Sequence, residues 1–400
     1  MNGPRRDPMT AAVALHVCTR YQRGGSERRL RDIIRALPEL RHHVLLGADS
    51  DLDLARKQTH AERVWALPTL VRPVDPARDL ASLVSLWRLL RHRDYSVVVS
   101  HQSKAGVLAR LAAAVIGDQP AVHSLSMASF GPGYGRLENW AFPRLERALG
   151  SRTSAYCVVG DDLAERFAAI GVPRERLHVV RSGVPLPSRL RPRAEARRLI
   201  DARHGTVPGR PLVCYVGSLE PRKNPLLLPP LLRELRDGSA DPPDLLVVGD
   251  GPVRDRLTVE LSALGLADHA VLTGHLADPH RVHDVLRGVD LVVLLSEAEG
   301  LPQVLVQSAA AGTPFVAFDV EGVREVLALG ARGSAVPLGR LDVVVDAARG
   351  WLRTGAADGA PRVDLSSWSP ESIAASYRAA FGRVLGRTTE PARELLSASG

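Results

Sequence analysis

The stretch VDLVVLLSEAEGLPQVLVQSAAAGTPFVAFD, residues 289–319, carries the pattern on which the fold depends. A short run of Val and Leu leads into a loop with Gly300 and Pro302, then into a helical segment that ends at Gly312, then into a second apolar run. Pro302 suits a helix start, because the amide hydrogen that it lacks has no partner in the first turn. Strands that alternate with helices in this way indicate a doubly wound parallel sheet.

Similar apolar runs recur along the chain and fall into two series. They lie at 12–18, 43–47, 95–101, 155–159 and 177–181, and then at 211–218, 244–251, 269–275, 289–297 and 314–319. A chain of 400 residues exceeds the size at which one core usually stops growing, so we expect two domains. The sequence predicts an α/β protein with two Rossmann-like, doubly wound parallel-sheet domains that face each other across a cleft.

Composition and patterning set the domain boundaries. The sequence predicts a flexible tail at 1–10, an amino-terminal Rossmann-like domain at 11–190, a Pro- and Arg-rich linker at 191–210 and a carboxyl-terminal Rossmann-like domain at 211–370. Residues 371–400 are predicted to form a final amphipathic helix behind a Ser-Pro cap signal, and we expect it to cross back to the amino-terminal domain.

Composition also excludes several classes of protein. Hydrophobic residues make up 45% and charged residues 24%, as in ordinary globular chains. No apolar run approaches the ~20 residues that cross a bilayer, and the basic residues neither cluster nor alternate with aromatics, which argues against nucleic-acid binding. Three dispersed cysteines favour a reducing cytosol over a disulfide framework, and a secretion signal at the amino terminus is the less favoured alternative.

Lysine is rare in this chain, so its positions are informative. Only Lys57, Lys104 and Lys223 occur among 52 basic residues, and the excess of arginine is typical of a GC-rich bacterial genome. We interpret a retained lysine as a position that needs a compact ammonium. Lys223 follows Arg222 directly after an apolar run, and adjacent cations at the carboxyl end of a strand can neutralise a diphosphate. A solvated surface pair is the alternative.

The run from Ser296 to Ala317 closely resembles the signature of the family 4 retaining glycosyltransferases, which have the GT-B fold of two Rossmann-like domains. Four further segments resemble other sequence blocks of that family and occur in the same order as in the family. They are VGSLEPRKN at 216–224, VVGDGP at 247–252, LTGH at 272–275 and VEGVREV at 320–326. The amino-terminal half agrees more loosely, at 23–27, 101–106, 144–163 and 179–186.

The resemblance implies a retaining enzyme that moves a sugar from a nucleoside diphosphate sugar, with a UDP-sugar favoured, to a hydroxyl of a saccharide, lipid-linked or secondary-metabolite acceptor. It implies that Arg222 and Lys223 hold the diphosphate and that Glu299 contacts the transferred sugar, so these are the catalytic candidates. The other donor-binding candidates are Gly217, Ser218, Gly249, Gly274, His275, Gly300, Leu301 and Gln307. We expect no cofactor and no metal, because no Asp-x-Asp stands at a strand end and fixed cations supply the charge.

Three positions depart from the pattern of that family. Gln307 stands where a second Glu usually holds the ribose hydroxyls, Ser126 where a His often assists the acceptor, and Ser218 where a further phosphate-binding Arg is common. His123 is the candidate replacement for the missing His. The acceptor-binding candidates are Gly24, Gly25, Lys104, His123 and Ser126.

The acceptor itself is not specified. The aromatic and glycine-rich segment 130–140 is predicted to be a mobile loop that stacks on a sugar or small molecule. The basic, amphipathic segments 80–93 and 140–152 make peripheral contact with the inner face of a membrane an alternative to a wholly cytoplasmic location. The oligomeric state is not indicated.

Two other functions compete with transfer. A nucleotide-sugar-binding partner protein without activity is favoured by Gln307 and Ser126, and opposed by the intact Glu299, Arg222 and Lys223. A GT-B epimerase or phosphorylase is the third hypothesis; the former would lack a separate acceptor and the latter would consume free phosphate.

Overall fold

The computed structural model describes residues 12–22, 25–186, 189–355 and 363–386. The chain divides into two compact units. Unit 1 holds the residues up to Phe130, Tyr134–Gly183 and the stretch from Ser367 onward, and unit 2 holds Gly131–Gly133 and Val184–Ser366. The predicted tail, 1–10, lies outside the described residues.

The described residues form strands and helices in alternation. The strands are β1 (Val13–Cys18), β2 (Arg41–Gly47), β3 (Arg63–Leu67), β4 (Val97–His101), β5 (Ala121–Leu125), β6 (Ala155–Val158), β7 (Leu177–Val179), β8 (Leu212–Val216), β9 (Asp244–Val248), β10 (Ala270–Gly274), β11 (Leu291–Leu294), β12 (Phe315–Phe318) and β13 (Gly333–Val336). The helices are α1 (Gly25–Ala36), α2 (Leu52–Thr59), α3 (Pro76–His92), α4 (Ser103–Ile116), α5 (Arg136–Gly150), α6 (Asp161–Ala169), α7 (Arg193–His204), α8 (Leu228–Arg236), α9 (Arg254–Ala263), α10 (Pro279–Gly288), α11 (Gln303–Ala311), α12 (Val323–Ala328), α13 (Leu341–Thr354) and α14 (Pro370–Val384).

Each unit is built on one parallel sheet. The strand order is β3-β2-β1-β4-β5-β6-β7 in unit 1 and β10-β9-β8-β11-β12-β13 in unit 2. The order reverses between β1 and β4 in unit 1 and between β8 and β11 in unit 2, and open parallel sheets bind ligands outside the carboxyl ends of their strands at such a reversal. The prediction of two Rossmann-like parallel-sheet domains is confirmed.

The sheet of unit 1 is buried on both faces. Ala14 of β1 packs in one core cluster with Ile33 of α1 and Tyr377 of α14, whereas its neighbour Leu15 packs in another with Leu86 of α3. Strands buried on both faces read as continuous apolar runs, which is why the sequence revealed most of them. Among the described residues, no helix is both long and apolar enough to cross a bilayer.

The helix α14 belongs to unit 1. The hydroxyl of Ser369 caps it by accepting a hydrogen bond from a first-turn amide at 3.1 Å. Arg378 Nε donates to a carbonyl oxygen at the end of α1 at 3.0 Å. The helix ends at Val384, because Gly386 adopts the left-handed conformation, φ 67°, that terminates helices, and the rest of the predicted segment 371–400, from residue 387 onward, lies outside the described residues.

The segment 191–210 is not an extended linker. It contains α7, whose Ala196 and Ile200 are buried and which packs against α10 of unit 2. Arg193 and Arg197 both pair with Asp290, at 2.7 and 3.2 Å. Apolar residues at a spacing of four among paired arginines make a helix, and the Pro- and Arg-rich composition concealed that pattern.

Candidate functional site

Two loops of unit 2 meet where its strand order reverses. The loop after β8 and the loop after β11 are joined by a backbone hydrogen bond from Glu297 N to Arg222 O at 2.9 Å. Asn224 Nδ2 donates to Leu295 O at 3.1 Å and lies 3.3 Å from Glu297 Oε1. Asn224 has φ 48°, a left-handed conformation that Asn tolerates better than most residues. The two loops therefore form a single platform.

The platform carries a lysine–glutamate ion pair. Lys223 Nζ lies 2.7 Å from Glu299 Oε1, and the side chains of the two residues are 20% and 11% exposed. Burial alone would raise the pKa of the Glu299 carboxyl, but Lys223 and, more weakly, Arg222 bring it below its usual range. Glu299 is therefore ionised near neutral pH.

Arg222 places a second cation beside the Lys223–Glu299 pair. Its Nη1 donates to the carbonyl oxygen of Ala298, next to Glu299. Two cations thus stand beside one carboxylate, and such a cluster attracts an anion. The structure brings the three catalytic candidates together.

Tyr215 supports the loop after β8, and it was not among the residues predicted from the sequence. It is fully buried in β8, and its hydroxyl donates to Ser218 O at 2.9 Å. A side chain at Gly217 would begin 3.2 Å from that hydroxyl and 3.6 Å from Lys223 Cδ. Burial, together with Glu299, raises the pKa of Tyr215. The signal available in the sequence was a lone hydroxyl-bearing residue within an apolar run.

The glycine candidates have packing reasons of their own. Gly249 has φ 146°, and a side chain there would begin 1.8 Å from Gly217 O, so the loops after β8 and β9 touch backbone to backbone. Gly249 N donates to Gly274 O at 3.0 Å, and Gly274 has φ 73°. These glycines and the exposed His275 follow β8, β9 and β10 at one edge of the sheet.

The residues after Glu299 lead into α11. The helix begins at Gln303, so Pro302 takes the cap position, one residue before the expected first turn. Gly300 and Leu301 are buried, and a side chain at Gly322 would begin 2.7 Å from Gly300 O and from Leu301 Cα. Gln307 is half-buried on α11, and its amide forms no hydrogen bond with another described residue.

The acceptor candidates of unit 1 are not brought together in the same way. Gly24 lies outside the described residues, and Gly25 is the first residue of α1. Lys104, in α4, lies 2.5 Å from Asp79 Oδ1 of α3 and also donates to Pro73 O. Its ammonium joins two helices of unit 1.

His123 lies inside unit 1. It is fully buried in β5, and its Nδ1 lies 3.2 Å from the carbonyl oxygen and 2.9 Å from the hydroxyl of Ser100. A side chain at Gly106 would begin 2.4 Å from the imidazole ring. Burial, and beside it the Arg110 guanidinium, lowers the pKa of His123 well below its usual range. Ser126 follows β5 and is half-buried, with no contact to His123 among those described.

The segment 130–140, predicted as a loop, is helical from Arg136 onward. Phe130 is buried, with its ring centroid 5.6 Å from that of Phe167. The Tyr134 hydroxyl donates to a carbonyl oxygen of its own loop at 2.7 Å, and helix α5 begins two residues later. Of the three aromatic residues, Trp140 is the most exposed, at 58%.

Comparison with known proteins identifies the class to which this arrangement belongs. Residues 24–183 match the glycosyl transferase 4-like domain, and residues 196–358 match the glycosyl transferases group 1 family. The two matches fall in the two units. The chain is a glycosyltransferase of the GT-B fold, in the EC 2.4 class.

Relatives support that assignment. The UDP-Gal:alpha-D-GlcNAc-diphosphoundecaprenol alpha-1,3-galactosyltransferase of Escherichia coli is 27% identical over 263 residues, which cover 65% of this chain and 67% of that one. The GDP-mannose-dependent alpha-(1-6)-phosphatidylinositol monomannoside mannosyltransferase of Mycobacterium tuberculosis is 28% identical over 346 residues, 82% and 85% of the two chains. The Anabaena protein HepE, solved with UDP and glucose, has a TM-score of 0.68 at 18% identity over 93% and 95% of the chains, and shares the fold.

Proposed function

We propose that the protein is a retaining, metal-independent glycosyltransferase that moves a sugar from a UDP-sugar to a hydroxyl of a saccharide, lipid-linked or secondary-metabolite acceptor. The observation that carries the proposal is the Lys223–Glu299 pair beside Arg222, on a platform at the strand-order reversal of unit 2. Charged groups held at that point of a parallel sheet are placed for a charged ligand.

The cations address the charge that develops during transfer. When the bond between the sugar and the diphosphate breaks, negative charge builds on the phosphate oxygens and positive charge on the sugar ring. Lys223 and Arg222 supply fixed positive charge to the leaving group without any proton transfer. Metal independence is part of the proposal because these side chains provide the charge that a bridging metal would otherwise provide.

Glu299 and Lys223 can serve one ligand together. An ammonium has three hydrogen-bond donors, so Lys223 can hold a phosphate oxygen while it still contacts Glu299. The ionised Glu299 can accept hydrogen bonds from sugar hydroxyls. The ion pair then fixes the distance between the diphosphate site and the sugar site.

Donor and acceptor are inferred by analogy with relatives. The E. coli relative is named for UDP-Gal and the M. tuberculosis relative for GDP-mannose. Of these two nucleotides, we favour UDP for the donor of this chain. Both names describe lipid-linked acceptors, so we infer an acceptor presented at the inner face of a membrane to a cytoplasmic, peripherally bound enzyme. Retention would proceed by same-face attack through an oxocarbenium-like ion pair.

A catalytically degenerate nucleotide-sugar-binding partner is the second candidate. The burial of His123 favours it, because the structure offers no exposed imidazole at the position where the family often has one. Such a protein would bind the nucleotide sugar and release no nucleoside diphosphate.

Calorimetric titration with UDP, GDP, ADP and TDP, in the presence of a chelator, tests the proposal. We expect UDP to bind and the Lys223→Ala variant to bind it more weakly. A folded protein that binds none of the four would contradict the donor site. Binding without release of UDP from any UDP-sugar, over a panel of saccharide and lipid-linked acceptors, would instead establish the partner protein.

A further inference from the structure

We propose that Asn224 is a positioning residue: its carboxamide fixes the loop after β8 against the loop after β11 and so directs the Lys223 ammonium to Glu299. The inference rests on the proposed function for the roles of Lys223 and Glu299. Its own evidence is the backbone conformation of Asn224 and the contacts that the side chain makes.

The backbone of Asn224 is strained. Its φ and ψ are 48° and 43°, in the left-handed region, and among the described residues only His60 and Gln102 are other non-glycine residues with a positive φ. Pro225 follows, and a residue before proline is normally restricted to extended conformations. Glycine would adopt the left-handed conformation without steric cost. The asparagine at this position therefore indicates a use for its side chain, since strained residues concentrate at functional sites.

The left-handed residue lets three successive side chains reach the same neighbour. Pro221–Lys223 form a short 3-10 turn, in which successive side chains point about 120° apart. Asn224 ends this turn, and its backbone N–H donates to Pro221 O at 2.9 Å. Because the chain changes direction here, the side chains of residues 222–224 all contact the loop after β11.

The carboxamide of Asn224 has two acceptors in that loop. Its Nδ2 donates to Leu295 O at 3.1 Å and lies 3.3 Å from Glu297 Oε1. An amide nitrogen carries two hydrogens, so one is available for each acceptor. The backbone hydrogen bond from Glu297 N to Arg222 O, at 2.9 Å, runs in the opposite direction. Two loops about 70 residues apart in sequence are thus held by a side chain and by the backbone.

The Lys223 side chain does not fix its own position. Its ammonium is a point charge on a flexible four-carbon stem, and it donates only to Glu299 among the described residues. Tyr215 supports one side of the loop through Ser218 O, and Asn224 holds the other side, next to Lys223. A displacement of about 1 Å can cost a catalytic group about a hundredfold in rate. The contribution of Lys223 therefore depends on Asn224.

A carboxamide has a comparable place in unit 1. Gln102 has φ 64° and ψ 166°, a region that is occupied almost only by glycine. Its Oε1 accepts from Arg20 N at 3.1 Å and its Nε2 donates to Arg20 O at 2.9 Å, so it joins the loops after β1 and β4. In each unit a strained residue with a carboxamide side chain joins the two loops that flank the reversal of strand order. His60 differs, because it is exposed and ends α2.

Substitution of Asn224 tests the proposal. Asn224→Gly removes the carboxamide and suits the left-handed backbone, so we expect a folded variant whose Kd for UDP rises about fivefold and whose kcat falls about tenfold. Asn224→Asp should lose more, because it sets a carboxylate against Leu295 O and Glu297. His60→Gly is the matched control: it replaces a residue with φ 52° and should leave both quantities unchanged. Calorimetric titration and single-turnover kinetics measure them.

A double-mutant cycle separates positioning from general support of the loop. In the Lys223→Ala background, Asn224→Gly should raise the Kd for UDP by less than about twofold, because residues that act through each other are not additive. A residue that only stabilised the loop would cause the same loss in both backgrounds.

The rarity of lysine allows a measurement that needs no ligand. Reductive methylation with ¹³C-formaldehyde gives one NMR signal for each of Lys57, Lys104 and Lys223, and dimethylation keeps the charge and one hydrogen-bond donor. In Asn224→Gly we expect the Lys223 signal to move towards that of the exposed Lys57. The signal of Lys104, which pairs with Asp79, should stay in place.

Four results would overturn the positioning role: an unchanged Lys223 signal in Asn224→Gly, unchanged UDP affinity and kcat in this variant, the same loss with and without Lys223, or the same loss in His60→Gly. The proposed function fails separately. If the unmodified protein binds no UDP, the proposed function is contradicted, and the Lys223 signal still decides the role of Asn224.

Discussion

Lys104 in unit 1 and Lys223 in unit 2 each follow a strand that borders the reversal of strand order, and each pairs with a carboxylate. The distances are 2.5 Å to Asp79 and 2.7 Å to Glu299, and all four side chains are at least four-fifths buried. The two lysines differ in what else they contact. Lys104 also donates to Pro73 O, whereas the Lys223 ammonium donates only to Glu299 among the described residues.

The two carboxylates also differ in what else lies beside them. Asp79 Oδ2 accepts a hydrogen bond from Asp75 N at 3.2 Å, so the pair closes the first turn of α3 onto α4. Glu299 stands in a loop beside a further cation, Arg222. Both lysines were selected from the sequence because lysine is rare and because each follows a strand. The number of unused donors distinguishes Lys104, which joins two helices, from Lys223, for which we propose a ligand-binding role.

The largest expected effect comes from removing each lysine in turn. Lys223→Ala should lower kcat by about a thousandfold, because fixed charge at the leaving group is lost, and should also lower the free energy of unfolding by about 1–2 kcal/mol, because Glu299 loses its partner. Lys104→Ala should lower the free energy of unfolding by about 1–2 kcal/mol and leave UDP binding unchanged. Single-turnover kinetics and thermal unfolding measure both effects. Retained turnover in Lys223→Ala would end the phosphate assignment.

A smaller effect is expected from Glu299→Gln, which should lower kcat about a hundredfold. The folded pKa of Glu299 is depressed, so its ionisation stabilises the fold above the unfolded pKa of ~4.3 and this contribution disappears as the pH falls through the folded pKa. The unfolding free energies of the unmodified protein and of the Glu299→Gln variant, compared between about pH 3 and 6, measure this contribution. We expect the difference in unfolding free energy between the unmodified protein and the Glu299→Gln variant to be largest above about pH 4.3 and to shrink at lower pH. A difference that does not change with pH would contradict the ion pair.

The smallest effect is expected at Gln307. Gln307→Glu should lower the Kd for UDP about fivefold if the amide faces the ribose, because a charged acceptor makes a stronger hydrogen bond than a neutral one. Calorimetric titration measures the change, and Gln303→Glu, one turn earlier on the same helix, is the control for added charge. An unchanged Kd would place the Gln307 side chain away from the nucleotide.

The sequence predicted the central strands well and the less apolar ones poorly. β3, RVWAL, is a short, half-buried strand at the edge of its sheet, and β13, GSAV, is also an edge strand. β5 is central and fully buried, but His123 and Ser124 interrupt its apolar run. Strand prediction from hydrophobicity fails where hydrogen bonds inside the core allow polar residues to be buried.

The residues of the candidate site also differ in how well the sequence predicted them. Arg222, Lys223 and Glu299 stand in loops after long apolar runs, where side chains lie at the carboxyl edge of the sheet whatever the details of packing. Tyr215 and Asn224 were missed because their roles depend on hydrogen bonds to residues distant in sequence or on a left-handed backbone. The burial of His123 depends on which way a strand residue points, and this is set by the pairing of β5 with its neighbours.

The place of α14 in unit 1 has a consequence for folding during synthesis. Tyr377 and Phe381 of this helix belong to the core that α1 and the central strands of unit 1 share. At roughly 5–20 residues per second, the ribosome needs about 10 to 40 seconds to pass from Gly183 to Ser367. Throughout that interval the side of α1 that α14 will cover has no partner, while unit 2 emerges and can close its own core. The unit that is made first is therefore completed last.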